Sequence, residues 1–196
     1  MSDFDFNNAD PQREMGALIP ENTVVLVVAS LRPGGNGPGG WLKASSTGAQ
    51  MLDFEFTIDG GEFDRRKVWE NWVTDGVTEG HAKAANITRS RCRALLESVH
   101  GISPKDDSAE AVAARRVDGW GEFDGLRFCA KIGIEPGGLK DKTAGPDSER
   151  YADKNKLKAI LTPDDDDYIA PVATAKPKAA KTGAAKAGAA KPSWAA

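Results

Sequence analysis

Cysteine and histidine are both scarce, with two of each in 196 residues. Cys92 and Cys129 have no CxxC spacing, and one falls in a helical segment while the other falls in a strand. Buried free thiols are therefore expected, and a disulfide framework is not. His81 and His100 lack a metal-ligand pattern, and nothing ties either to a nucleophile, so catalysis has little support. The chain has no run of 18 apolar residues, and its N-terminus is acidic rather than basic and then apolar. That predicts a cytosolic chain with neither signal peptide nor membrane span. A phosphate-cradling signature is also missing. The glycine-rich segment 33–40, PGGNGPGG, runs into Trp41-Leu42-Lys43, whereas a P-loop needs Gly-Lys-Ser/Thr opening a helix. The segment reads as a flexible loop.

What is present is segregated charge. The last 26 residues, 171–196, hold five lysines and no acid, in a background of Ala, Gly, Pro, Ser and Thr. Too little apolar bulk is available there to offset ordering entropy, so 171–196 reads as a disordered basic tail. The remainder carries 21 Lys+Arg against 29 Asp+Glu, a net of 21 − 29 = −8. An acidic body argues weakly against a general nucleic-acid binder, although a local basic patch can act against an unfavourable net charge. Residues 1–20 read as an extended arm in which Phe4 and Phe6 alternate with acids. The segment 21–170 is long enough for one domain with a real core.

Periodicity supplies the elements. Residues 23–31 are dense in β-branched side chains and predict a buried strand. Residues 50–59 predict a second, with Leu52, Phe54, Phe56 and Ile58 facing inward. A third spans 66–74. Residues 80–100 predict the main helix, with Ala85, Cys92, Leu95, Leu96 and Val99 as its apolar stripe and Gly101 as its stop. Arg93 and Glu97 are spaced to pair on a solvated face of it. A short helix is expected at 108–115, capped by Ser108. Two strands follow. The fold class is therefore mainly β with one main helix, in the order β-β-β-α-β-β. That is the element order of the OB-fold, a five-stranded Greek-key barrel that binds oligonucleotides. Ubiquitin-like and other small α+β folds come close to the same order.

The final two strands carry the strongest functional hint. Arg127 and Lys131 share one face of the first, and Leu126, Phe128, Ala130, Ile132 and Ile134 share the other. In the second, Lys154, Lys156 and Lys158 alternate with Asn155, Leu157 and Ala159. Together they describe a sheet with an apolar face and a basic face, and a basic face suits a polyanion. On the third strand Trp69 shares a face with Lys67 and Asn71, opposite Val68, Glu70 and Trp72. One tryptophan is expected inside and the other outside. Tyr151, at the start of the last strand, is a second stacking candidate, whereas Phe128 belongs to the core. The four acids at 164–167 diverge in direction and read as a solvated acidic turn rather than a metal site.

Several segments also resemble a known family. FDFN at 4–7, LIPENTVV at 18–25, LDFEF at 52–56, RRKVWENW at 65–72 and KIGIEPG followed by YADKNKLKAILTP resemble, in order, a family of phage-encoded proteins. That family is encoded beside phage recombination genes, and its members look like single-stranded DNA-binding proteins. The resemblance covers about residues 1–170 and leaves out the glycine-rich loop, residues 102–117 and the tail. It implies non-sequence-specific binding of single-stranded DNA during phage replication or recombination, without catalysis, metal or cofactor. It also implies a phage recombinase or annealing protein as partner, and leaves self-association open. The candidate DNA-binding residues are Lys67, Trp69, Arg127, Lys131, Tyr151, Lys154, Lys156 and Lys158. Cations would hold phosphates and aromatics would stack bases. The rival expectation is a protein-interaction or structural β-domain, such as a host-enzyme inhibitor or a virion accessory protein. The acidic body favours that rival.

Overall fold

A computed structural model of the chain describes residues 16–141, 143, 145 and 148–171. Residues 1–15 of the expected arm and 172–196 of the expected tail lie outside the described residues. The strands are β1 (Val24–Arg32), β2 (Leu42–Ala44), β3 (Gln50–Ile58), β4 (Lys67–Asp75), β5 (Arg127–Glu135) and β6 (Lys154–Leu161). Helix α1 (Glu79–His100) and the short α2 (Ala109–Ala114) lie between β4 and β5. The protein is thus mainly β with one main helix, and it has six strands in one sheet rather than the five expected. The addition is β2. Three residues after a glycine-rich loop carry too little periodicity to be seen in the sequence.

Every strand pairing is antiparallel. β3 is flanked by β4 along one edge. β1 and β2 share its other edge, β1 along Asp53–Ile58 and β2 along Gln50–Leu52. β1 then pairs with β5, and β5 with β6. The path β4-β3-β1-β5-β6 leaves β4 and β6 as the outer strands. An even number of antiparallel steps separates them, so they run parallel, and they come close to one another at the sheet's open seam.

The inward set follows from the two-residue period. Val27, Ala29, Leu52, Phe54, Phe56, Phe128, Ala130 and Ile132 are all fully buried. The Phe54 and Phe56 rings stack at 5.1 Å, and Phe128 meets Phe56 edge-on at 5.8 Å. Aromatic contacts of these kinds add to simple area burial. Helix α1 closes over β4 and also touches β5 and β6, with Cys92, Leu95 and Leu96 in the core. Thr78 Oγ1 accepts from the His81 N–H at its start, and Gly101, at φ 65°, ends it in the left-handed region. Burial pushes the Cys92 thiol up to about 12 and raises that of Cys129 as well, so both are inert thiols.

Two connections differ from expectation. The loop 33–40 is bonded across its mouth: Gly34 and Gly35 N–H groups donate to Gly40 O, and Asn36 and Leu42 exchange a backbone pair. Trp41 is held between two glycines, because a Cβ on Gly39 would lie 2.9 Å from its Cδ1 and one on Gly121 would lie 2.8 Å from its Nε1. The second difference concerns Glu97, which is buried rather than solvated. Its Oε1 accepts from Arg93 Nε (2.8 Å) and from Arg115 Nε (2.7 Å). Arg115 also donates to Asp106 O and Ser103 O, so it pins residues 102–116 onto the helix.

Candidate nucleic-acid interface

The seam between β4 and β6 is joined by side chains in place of a backbone ladder. Glu70 Oε1 accepts from the Leu157 N–H (2.6 Å). Its other oxygen accepts from Arg91 Nη1 (2.6 Å) and from Trp72 Nε1 (2.8 Å). Arg91, on α1, completes the bridge by donating from Nη2 to Leu157 O (2.6 Å), with its guanidinium 4.9 Å from the centre of the Trp72 ring. One carboxylate and one guanidinium thus satisfy the Leu157 N–H and C=O on the edge of β6, which a neighbouring strand would otherwise take. At the same seam, Asn155 exchanges hydrogen bonds with the Ile19 N–H and C=O, which ties the entering chain to β6.

Above this bridge lies a groove of about 640 Å³, lined by Trp69, Glu70 and Asn71 from β4 and by Lys154 to Lys158 from β6, with Glu21, Arg91, Ile134 and Glu135 at its margins. The two tryptophans of β4 divide as the sequence suggests. Trp72 is 2% exposed and packs on Phe54, whereas Trp69 is 53% exposed. Register fixes the choice, because Trp72 stands opposite the core residue Leu52 and Trp69 stands opposite the outward Glu55. Glu55 accepts from Trp69 Nε1 (3.0 Å) and pairs with Lys67 (2.6 Å). Those two donors, Lys67 first, hold the Glu55 carboxyl below its ordinary value.

The candidate cations are brought together only in part. Lys154, Lys156 and Lys158 line the groove with Trp69. Lys67 sits beside it on β4. Arg127 lies at the far end of β5, roughly 26 Å from Glu135 at ~3.3 Å per residue, and pairs with Asp59. Lys131, in mid-strand, pairs with Asp167 of the C-terminal segment (3.0 Å). Tyr151 is exposed but precedes β6, in the connection from β5, where its N–H donates to Gly138 O. Arg127, Lys131 and Tyr151 are not among the groove's lining residues.

The basic face is also laced with acids. Lys154 pairs with Glu135 (3.1 Å), and Lys158 with Glu21 (2.9 Å) and with Asn22 Oδ1 (2.8 Å). The bond from Lys158 is the main reason the Glu21 carboxyl lies below its ordinary value, and nearby Lys156 adds to it. Four cations (Arg91, Lys154, Lys156, Lys158) and three carboxylates (Glu21, Glu70, Glu135) line the groove, so its charge is nearly balanced. Sequence reasoning missed Glu70, Arg91, Glu21 and Glu135. Apart from Trp72 beside Glu70, their partners lie 19 or more residues away in the chain, and no local spacing marks them. The two-residue period puts Asn71 on the right face of β4 but does not mark it as groove lining.

Among the described residues no cluster of His, Cys, Asp and Glu could hold a metal ion, and no helix is long and apolar enough to cross a membrane. No protein-family model, no curated protein and no solved structure matches the chain.

Proposed function

We propose that this chain is a phage-type, non-sequence-specific single-stranded DNA-binding protein acting in replication or recombination, and that its sheet is an OB-like Greek-key barrel. The pairing path β4-β3-β1-β5-β6, with one helix between β4 and β5 and two parallel outer strands facing each other, supports the barrel. OB folds bind oligonucleotides on the face of their second and third strands and the adjoining loops. Here those strands are β3 and β4. β2 is then an addition to the first connection of the barrel.

The observation that carries the function is Trp69. Its ring is half exposed, oriented by Glu55, and shares a groove with the lysines of β6. An unpaired base stacks on such a ring, contributing ~1–3 kcal/mol, while a cation on the opposite wall holds the backbone without reading sequence. The protein is a non-enzymatic coat for DNA in the host cytoplasm, with a phage recombinase or annealing protein as its partner. The test is a fluorescence titration with a polythymidine oligomer and with duplex. Tryptophan emission should quench on the single strand, and binding should weaken as salt rises. Trp69→Ala should lose roughly 5–150-fold in affinity, while stability changes by less than about 1 kcal/mol. Equal or tighter binding to duplex would reject the proposal.

One observation favours a second reading, a protein-interaction or structural β-domain. Nearly all the candidate cations are engaged by carboxylates, on a body of net charge −8. A chain that purifies free of nucleic acid and ignores the oligomer at low salt would reject DNA binding and favour that reading instead.

A further inference from the structure

We propose that the β4–β6 groove is a subsite for a single nucleotide unit, with Lys156 as its one phosphate ligand and Trp69 as its base platform. The inference rests on the DNA-binding reading and sharpens it, since three alternating lysines suggest a tract of phosphates, and among the described residues only one of them is without an ion pair.

Register explains why. On β5 and β6, residues directly opposite each other present their side chains to the same face. Lys154 stands opposite Glu135, and the two form an ion pair. Lys156 stands opposite Gly133, which has no side chain to offer. Lys158 is the extra residue of β6 at the register shift beside Lys131 and Ile132. It leans over Gly133, whose Cβ, if present, would lie 3.1 Å from the Lys158 Cβ, and it reaches Glu21. Lys156 therefore has no carboxylate within ion-pair distance among the described residues, although it is half-buried and lines the same groove as Trp69. A phosphate meeting Lys154 or Lys158 must displace a carboxylate already in place. The carboxylate loses its partner, so little net attraction is gained. A phosphate meeting Lys156 breaks no ion pair of the described residues, and Lys156 feels Glu21 only through space. One cation outside an ion pair and one exposed ring face match one phosphate and one base. Asn71, two residues from Trp69 on the same face of β4, lines the same groove, and its carboxamide has no hydrogen-bond partner among the described residues, so it can meet the base edge.

Salt dependence counts phosphates, because log affinity falls with log salt by ~0.7 for each phosphate neutralised on a single strand. The experiment uses the full chain, so any contribution from the lysine-rich tail is common to all variants. A dye-labelled polythymidine oligomer is titrated between 50 and 200 mM salt. Lys156→Gln should flatten the slope by about 0.7, so that the parent's extra loss over that fourfold salt range, about 2.6-fold, disappears. Lys156→Arg should restore it. Lys154→Gln and Lys158→Gln should leave the slope where it was. Glu135→Gln, which releases Lys154, should steepen it by about 0.7. Equal flattening by all three Lys→Gln variants, or an unchanged slope in Lys156→Gln, overturns the single-phosphate subsite while the DNA reading stands. A parent chain that binds no oligomer overturns the DNA reading and the subsite with it.

Discussion

The middle of the sheet and its seam are built from the same kinds of strand and solve opposite problems. β1, β3 and β5 are paired by backbone along both edges, and their inward side chains Val27, Ala29, Phe54, Phe56, Phe128 and Ile132 are fully buried. At the seam, β4 and β6 face each other across a groove, and the edge groups of Leu157 are met by Glu70 and Arg91. In the middle, backbone pairing lets apolar side chains do the rest. At the seam, charged side chains stand in for a ladder and leave room for water or a ligand. The same substitution of side chain for strand that keeps the sheet open also creates a polar recess beside an exposed tryptophan.

The largest test of this contrast is in the middle. Phe56→Ala removes a ring packed against Phe54, Trp72 and Phe128. It should cost about 3–5 kcal/mol in urea unfolding, with no specific effect on the groove. Glu70→Ala is next. It leaves the Leu157 N–H, the Trp72 Nε1–H and Arg91 without their shared acceptor, and should cost roughly 2–3 kcal/mol. Unlike Phe56→Ala it should also shift Trp69 emission, because the floor of the groove is lost. If the emission is unmoved, bridge and groove are independent features. The smallest effect is in pH. The Glu21 and Glu55 carboxyls lie below their ordinary value of 4.5 in the folded protein. Each favours the charged form more when folded than when unfolded, so its contribution is complete above 4.5 and is lost as pH falls through the lower folded value. Urea midpoints should therefore be flat from pH 7 to about 5.5 as far as these groups are concerned, and should decline below 4.5. Both carboxyls are at the surface, so the decline should be shallow. A Glu21→Gln, Glu55→Gln double variant should lose that part of the decline and keep the rest.

The legible parts of the molecule were those fixed by neighbours in sequence. The alternation of Leu52, Phe54, Phe56 and Ile58 defines β3 and its buried face without reference to anything else. Ser108 and Gly101 mark helix ends because caps act within three or four residues. The lysines of β6 were legible as one outward set for the same reason. Their neutralisation was not, since Glu21 lies 137 residues from Lys158 and only register makes Glu135 the partner of Lys154. Trp69 and Trp72 could be put on opposite faces by spacing, but choosing the inner one required the pairing of β4 with β3. Glu70 and Arg91 read as an ordinary strand acid and an ordinary helix base until the seam is seen.

The clasp on Trp41 bears on how such a chain can change over generations. The loop 33–40 and the turn at Trp120–Phe123 belong to connections about 80 residues apart in sequence, yet one indole ring fills the space against a glycine from each. Any larger residue at Gly121 would collide with that ring unless position 41 shrank in the same lineage. Sterically, the side chains allowed at positions 121 and 41 are thus tied to one another. A Gly121→Ala change meets the ring at once, and shortening the side chain at position 41 is what would make room for it.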